Sequence, residues 1–331
     1  MISYVIRRTA IMVINLILIS IISFIIIQLP PGDFLTSYMA ARTHFGAGEL
    51  PEDTVRALRA NYGLDKPLYV QYWNWVKGFP RGDFGVTFVY TMGGPVVDII
   101  EQRIGYTFLI VFSTLFISWG LAIPLGIFAA SRKNTVGDYF FSGVSFLGIS
   151  VPNFLLAVFA LFVSVFLLKG NYTGGLISSN LRDAPWSWAK LVDLLQHLWI
   201  PIVILGFNSM AGTFRIMRGN LLDVLDEQYV ETARAKGLKE RKVVYRHAAR
   251  IAINPLISRL GMHLPVLFQN SIVLAIILSL PTLGPSFYQA LLGRDMYLAG
   301  TILLIFAVIL LVGNFIADLL LAWSDPRIRY Q

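Results

Sequence analysis

Residues 9–29 read TAIMVINLILISIISFIIIQL and contain no charged side chain. A helix needs roughly 20 mostly apolar residues to cross the hydrocarbon core of a bilayer, so this stretch predicts a transmembrane helix. Arg7 and Arg8 precede it, as basic residues precede the apolar core of a signal peptide. The run is longer than such a core, however, and it ends in QLPPG at 28–32 without a small-residue cleavage pattern. We therefore expect a retained helix.

Five further stretches are of the same kind. They cover about 107–130, 139–168, 194–217, 256–280 and 296–323, and each is predicted to be one span. Of the 331 residues, 56% are hydrophobic and 14% are charged, against about 25% charged in an average soluble domain. This composition excludes a disordered chain and disfavours a soluble enzyme. The predicted fold class is all-α, a polytopic membrane protein with six transmembrane helices.

Lys and Arg residues indicate which side of the membrane is cytoplasmic. They cluster at 7–8, at 132–133, in the segment 215–250, which holds nine of them, and at 327–329. With six spans these four places lie on one side, which the positive-inside rule assigns to the cytoplasm. The net charge of +8 therefore indicates topology rather than nucleic-acid binding. We expect both termini to be cytoplasmic.

The segment 30–102 then lies on the outer side. It contains two helix signals, one over 52–61 after Pro51 and one over 68–76 after Pro67, with Gly63 between them. We expect a small folded cap there.

No motif for catalysis or nucleotide binding is present. The chain has no Gly-Lys dipeptide, and so no Walker A phosphate loop, and it has no HExxH or GxSxG pattern and no cysteine. Its four histidines are far apart in sequence. His263, inside the fifth predicted span, is the only one expected in a core, where a hydrogen bond between helices is the expected role. We predict that the chain is not an enzyme and holds no metal or cofactor itself.

The polar residues in the middle of the spans are uncharged. Secondary transporters and proton pumps usually place an acid or a lysine there, and this sequence does not. A neutral path suits gating by an energy source outside the membrane. The candidate path residues are Asn153, Asn208, Gln269 and Asn270. The alternative for each is a hydrogen bond that joins two helices.

The cytoplasmic segment 218–253 is too long to be a plain turn. Asp226 and Glu227 stand where a helix would start, which suits the helix dipole, and Gly237 stands where it would end in a left-handed residue. A second helix is predicted from Lys239 to about Ile253. Two interpretations remain open on these residues: an amphipathic segment on anionic lipid, or an element that docks on another protein and transmits its movement to spans four and five.

A resemblance favours the second interpretation. The sequence ETARAKG at 231–237 resembles the E-A-A-x-x-x-G motif of ABC importer permeases, and the similarity to their dipeptide, oligopeptide and nickel branch, first-permease type, extends along nearly the whole chain. The other matching stretches are YVIRR at 4–8, LPPGD at 29–33, GLDKPLYVQYWNWV at 63–76, RGDFG at 81–85, GISVPNF at 148–154, MRGNLLDVL at 217–225 and DPRIRY at 325–330.

The resemblance implies a type I importer permease in a bacterial inner membrane. It implies a cytoplasmic N-terminus at 1–8, a first span at 9–29, a periplasmic segment at 30–102, a permease core at 103–323 and a cytoplasmic tail at 324–331. The motif would form the coupling helix, with Glu231, Ala233, Ala235 and Gly237 as its coupling residues. Glu231 could pair with a basic residue of the ATPase or cap its own helix. Gly237→Asp is expected to abolish transport without affecting membrane insertion.

The implied partners supply energy and substrate. They are two cytoplasmic ATPase subunits that carry ATP and Mg²⁺, a second homologous permease subunit in a heterodimer, and a periplasmic substrate-binding protein. Transport would proceed by alternating access. The implied substrate is a short peptide; the alternatives are an oligosaccharide importer of the same branch and, more distantly, a secondary transporter.

Two departures from the family pattern bear on the substrate. Arg250 stands where the general motif has proline, and Asn254-Pro255 follows later, as in the peptide branch. Many peptide-branch members carry a glutamate in the stretch that corresponds to 270–277, and this chain has NSIVLAII there. The lack of His, Asp or Glu along the path also argues against a nickel carrier.

Overall fold

The computed structural model describes residues 2–44, 48, 50–90, 93–166 and 174–324, and these residues are almost entirely helical. The only strands among them are β1 (Val86–Thr87) and β2 (Gly94–Pro95), which pair antiparallel. The all-α prediction is confirmed. The chain divides into two compact units, one of residues 1–106 and 282–309 and one of residues 107–281 and 310–331.

Long apolar helices account for most of the predicted spans. Among the described residues, five helices are long and apolar enough to cross a membrane. They lie in α1 (Ile2–Gln28), α5 (Val96–Ser131), α8 (Trp188–Leu225), α12 (Asn254–Ile277) and α14 (Met296–Ser324). Helices α5 and α8 extend beyond the predicted spans because their helical pattern continues into the polar flanks. The C-terminal residues 325–331, which include the predicted basic tail, lie outside the described residues.

The third predicted span is two helices instead of one. Helix α6 (Val136–Ser150) and helix α7 (Asn153–Phe166) are bent by 96° at the intervening residues. Pro152 lies at the break and disfavours a continuous helix there, because proline has no backbone N–H and its ring clashes with the carbonyl four residues earlier. The described chain therefore has five single-helix spans, or six if the bent pair is one span. The last two residues of the predicted stretch, 167–168, are outside the described part.

The first unit contains the accessory helices of the segment 30–102. Helices α3 (Glu52–Tyr62) and α4 (Leu68–Val76) confirm the two predicted ones. The sequence analysis did not anticipate α2 (Phe34–His44) or α13 (Leu283–Leu292), which follows α12. Trp75 of α4 is 1% exposed. It stacks on Phe24 of α1 with ring centroids 6.2 Å apart and donates its indole N–H to the Thr301 hydroxyl at 3.4 Å.

A buried carboxylate joins the β1–β2 region of this unit to α14. One Asp295 oxygen accepts hydrogen bonds from the Thr87 hydroxyl and the Phe88 N–H, both at 2.7 Å. The other accepts the Leu298 N–H at 3.1 Å, in the first turn of α14. Burial raises the pKa of Asp295, and the four N–H and O–H donors that surround it oppose that change.

The second unit is built around α8. Helices α6, α7 and α12 all pack on it. Close to its C-terminal end, Met217 and Leu221 are fully buried in a cluster with Ile127 of α5 and Leu256 of α12. The chain then passes from α8 into the segment 226–253, so that segment is fixed to the most buried of the long helices described.

Candidate functional site

The segment that follows α8 folds as two short helices joined at a sharp bend. Its first helix is α9 (Gln228–Ala235). The second consists of α10 (Glu240–Lys242), a π-helical turn at Val243–Ala248, and α11 (Ala249–Ala252), which runs on into α12. The two predicted helices and the bend between them are confirmed. We call α9 through α11, with the bend, the coupling segment.

Gly237 forms the bend with a left-handed backbone. Its φ is +73°, a conformation that costs side-chain-bearing residues free energy. The Gly237 N–H donates to the carbonyl of Arg234 at 2.9 Å, and the Leu238 N–H donates to the carbonyl of Ala233 at 3.4 Å. These are the two hydrogen bonds of a Schellman motif. Leu238 also packs on the cluster that contains Ala233, which completes the motif.

One side of α9 is buried. Val230 is fully buried and Ala233 nearly so, three residues apart on the same face. They pack against Val243 and Val244 of the second helix and against Leu221 of α8. Ala233 is therefore a packing residue of the coupling segment, where a larger side chain would push α9 away from α8.

The opposite face of α9 is open to solvent. Glu231 and Ala235 are exposed and lie four residues apart on it. The helix has no side-chain cap at its N-terminus, and no described residue forms a hydrogen bond with the Glu231 carboxylate. Tyr229 lies about 200° round the helix from Glu231 and is not part of this face; it is 40% exposed, partial burial raises the pKa of its hydroxyl, and the charge of Glu227 adds to that effect. The face with Glu231 and Ala235 is thus available to a partner.

Arg234 ties the coupling segment together, and the sequence analysis missed it. Its guanidinium contacts both carboxylate oxygens of Glu240 at 2.9–3.3 Å, across the bend, and donates to the carbonyl of Leu225 at 3.3 Å. The hydrogen bond with Glu240 raises the pKa of Arg234. Both side chains are well exposed, so the pair contributes at most about 1 kcal/mol. Its geometric effect is to join the end of α8 to both helices.

The four predicted path residues do not form one polar cluster. Asn208 of α8 donates to the carbonyl of Gly148 in α6 at 3.1 Å. Asn153 begins α7 and is half-buried, with an Oδ1 atom that is buried and has no hydrogen-bond partner among the described residues. Gln269 is exposed and Asn270 half-buried in α12. No hydrogen bond joins any two of the four, and for Asn208 the helix-joining alternative is the one observed.

His263 joins helices, as predicted. The hydroxyls of Ser118 in α5 and Ser209 in α8 are 2.9 Å apart, and the Ser209 hydroxyl is 3.0 Å from Nε2 of His263 in α12. Three long helices of the second unit are linked in this way. Within the described ranges, no group of three His, Asp or Glu side chains is placed to hold a metal ion.

Comparison with known proteins assigns the chain to a family. Residues 122–330 match the model of the inner membrane component of binding-protein-dependent transport systems, and residues 1–109 match the model of the N-terminal part of such membrane components. The chain belongs to this family. It is therefore a permease component of a transport system and not the catalytic part of one.

Relatives of this permease match it from end to end. The oligopeptide transport system permease protein AppB of Bacillus subtilis is 34% identical over 330 residues, with 100% of both chains covered. The dipeptide transport system permease protein DppB of Lactococcus lactis is 31% identical, with 99% of this chain and 100% of the relative covered. The oligopeptide transport system permease protein OppB of Escherichia coli is 28% identical, with 100% of both chains covered.

The permease has a second pair of linked residues that sequence reasoning missed. Arg218 of α8 donates to both carboxylate oxygens of Asp138 in α6, at 2.6 and 2.7 Å. Asp138 is 1% exposed, and the backbone N–H of Asn134 donates to it as well. Only Arg218 lies in a stretch that the sequence analysis singled out, as the second residue of MRGNLLDVL. Its partner Asp138 is 80 residues away in the sequence.

Proposed function

We propose that this chain is the permease subunit of an ATP-driven importer of short peptides and forms part of their path through the inner membrane. The single observation that carries the proposal is end-to-end similarity to oligopeptide and dipeptide permeases. The coupling segment supports it, because α9 is held rigidly on one face and open on the other. That is the arrangement that a docking helix requires.

The energy source lies on other chains. Two cytoplasmic ATPase subunits bind ATP and Mg²⁺ and receive the exposed face of α9, with Glu231 and Ala235 in contact and Ala233 and Gly237 holding the helix in position. A second, homologous permease completes the path, and Asn153, Gln269 and Asn270 line it. A periplasmic binding protein delivers the substrate. Both termini are cytoplasmic, and the segment 30–102 forms the periplasmic cap.

Reconstitution tests this proposal directly. The tagged permease is purified from membranes of the source bacterium, and the associated chains are identified by mass spectrometry. The complex is then placed in liposomes with its binding protein, and uptake of labelled di- to pentapeptides is measured with and without ATP. Peptide uptake that requires both ATP and the binding protein is expected.

Three outcomes contradict the proposal. One is uptake driven by an ion gradient without ATP, which would identify a secondary transporter. Another is uptake of an oligosaccharide in place of peptides, with an oligosaccharide in the purified binding protein. The third is a permease that purifies without ATPase subunits under conditions in which the matched oligopeptide permease of Bacillus subtilis retains its own.

A further inference from the structure

At the break in the third span, a side chain from another helix makes the hydrogen bond that the backbone has lost. In a continuous helix the N–H of residue 152 would donate to the carbonyl of Gly148, but Pro152 has no N–H. Asn208 of α8 donates its side-chain N–H to that carbonyl at 3.1 Å. Val151 still donates to the carbonyl of Leu147 at 3.1 Å. Asn208 therefore supplies the hydrogen bond that Pro152 cannot make.

Helices α6 and α8 are tied together over the whole length of α6. At one end lies the bidentate pair of Asp138 and Arg218. Further along, the Ser145 hydroxyl donates to the carbonyl of Ala211 at 2.9 Å. Near the break, a Cβ atom added to Gly148 would lie 2.8 Å from the Cβ of Ala211, so the two helices are in close contact there. With the Asn208 bond, these contacts leave little freedom between α6 and α8.

The coupling segment belongs to the same tied body. Helix α8 runs without a break to Leu225, whose carbonyl accepts a hydrogen bond from Arg234. Asn220 of α8 donates to the carbonyl of Ala252 at the end of the second coupling helix, at 3.2 Å. A displacement of α9 is thus carried through α8 to α6. Beyond α6 the chain bends by 96° before α7, which itself packs on α8 and α12.

We propose that the coupling segment, α8 and α6 move as one body during transport, that the Val151–Pro152 break is the hinge where this body ends, and that Asn208 is the positioning residue that sets the hinge angle. The unpartnered Oδ1 of Asn153, directly after the break, is an acceptor that a different hinge angle can satisfy. The inference rests on the proposed function, because the movement of α9 is driven by the ATPase subunits.

The absence of cysteine makes the hinge measurable. Spin labels at introduced cysteines are then specific, and Phe140 of α6, Phe162 of α7 and Val203 of α8 are all exposed. At 1.5 Å per residue, α6 is about 16 Å long from residue 140 to the break, and α7 is about 15 Å long from the break to residue 162. At the observed bend, positions 140 and 162 are therefore roughly 21 Å apart. An opening of the bend by about 30° would lengthen this distance by roughly 5 Å.

The distances are measured in the assembled transporter with its binding protein, without nucleotide and in an ATP-trapped state. We expect the distance for Phe140→Cys/Phe162→Cys to differ by several ångströms between the two states. The distance for Phe140→Cys/Val203→Cys should be the same in both. An unchanged 140–162 distance, or a changed 140–203 distance, overturns the proposal.

Variants at the break test the role of Asn208. Asn208→Ala should broaden the nucleotide-free 140–162 distance distribution and lower peptide uptake by about tenfold, the effect of one partly buried hydrogen bond. Pro152→Ala returns an N–H to residue 152, so α6 and α7 should straighten toward roughly 30 Å between the labels, and uptake should be lost. Ser150→Ala is the matched control, because the Ser150 hydroxyl bonds only within α6, to the carbonyl of Phe146.

The double variant Pro152→Ala/Asn208→Ala separates positioning from folding. It should assemble as well as the parent, because the Gly148 carbonyl regains a backbone donor, yet it should hydrolyse ATP without peptide uptake. Normal uptake by this variant, or a narrow and unshifted distance distribution in Asn208→Ala, overturns the role of Asn208. The nucleotide-free distances do not depend on substrate. If the parent fails to import peptides, the proposed function is contradicted. The nucleotide-free distances of the parent and of Asn208→Ala still test the hinge geometry in that case.

Discussion

Substitution of Gly237 tests the bend of the coupling segment with a magnitude that the structure supplies. A Cβ atom added there meets no other atom within 4 Å. The cost is therefore conformational alone and arises from the φ of +73°. It is about 1 kcal/mol for Ala and about 2 kcal/mol for the β-branched Val, which occupies the left-handed region least readily.

These costs convert into populations of the bent segment. A free energy of about 2 kcal/mol lowers the population of the bent segment roughly 30-fold relative to alternatives that lack its two Schellman hydrogen bonds. We therefore expect peptide uptake to decrease in the order Gly, Ala, Val at position 237. Gly237→Asn is the matched control, because asparagine tolerates this conformation and should retain most uptake.

Uptake and ATP hydrolysis are measured in the same liposomes, and co-purification of the ATPase subunits reports assembly. Gly237→Asp, for which the sequence predicts lost transport, has nearly the shape of Gly237→Asn and differs in charge. A loss confined to Asp would therefore report contact with a partner rather than backbone strain. Equal uptake by the Ala, Val and Asn variants would refute the argument from φ.

Three further predictions concern packing, a buried pair and pH. Ala233→Phe should overpack the face between α9 and α8, at about 1–3 kcal/mol, and reduce binding of ATPase subunits while membrane insertion is retained; normal binding would contradict it. Asp138→Ala should lower the free energy of unfolding by about 3–5 kcal/mol, and Asp138→Leu/Arg218→Leu should restore much of it in a thermal melt in detergent; equal melting temperatures of the two variants would contradict this. Burial alone would raise the pKa of Asp33, but hydrogen bonds from a neighbouring threonine and Arg59 outweigh it and hold the pKa below the ordinary value of 3.8. The stability from Asp33 is therefore present above pH 3.8 and lost as the pH falls through the lowered value, so Asp33→Asn should melt with a weaker dependence on acid pH than the parent; identical profiles would contradict this.

The sequence predicted helices well where a single stretch determines them. Apolar length alone located the five unbroken spans, and the Pro and Gly residues around α3 and α4 located those two helices. Gly237 predicted its own left-handed bend because the conformational preference of glycine is local. Helix α13 was missed because it is too short to be a span and follows α12 after only a few residues.

Pro152 shows why the broken span could not be predicted. Pro124, Pro201 and Pro265 lie inside α5, α8 and α12, which continue through them, whereas the chain bends by 96° at Pro152. The presence of proline alone therefore does not determine whether a helix continues or bends. At Pro152 the freed carbonyl accepts a hydrogen bond from Asn208, which is 60 residues away in the sequence and is not indicated by the local pattern.

In the candidate site, too, local features could be predicted and contacts between distant residues could not. The exposed face of α9 and the bend at Gly237 follow from the seven residues ETARAKG, but the contacts that fix them to the spans do not. Arg234 and Glu240 are six residues apart across a glycine bend, so the helical i,i+4 rule does not identify them. Asn208 shows the same limit: the sequence left a path residue and a helix-joining residue as alternatives, and only the structure shows that its amide donates to a helix carbonyl.

The length of α8 explains why the coupling segment and the break can act on one another. Its 38 residues make an unbroken helix of about 57 Å, against about 30 Å for the hydrocarbon core. Such a helix can begin within the membrane and still present its last turns, and α9 after them, outside it. Because a helix resists bending away from its breaks, movement at Leu225 must reach Asn208, about 26 Å away along the axis at 1.5 Å per residue. Loss of the Asp138–Arg218 pair or of the Gly237 bend should therefore have the same consequence, ATP hydrolysis with reduced uptake, since either change loosens the attachment of α6 or α9 to α8.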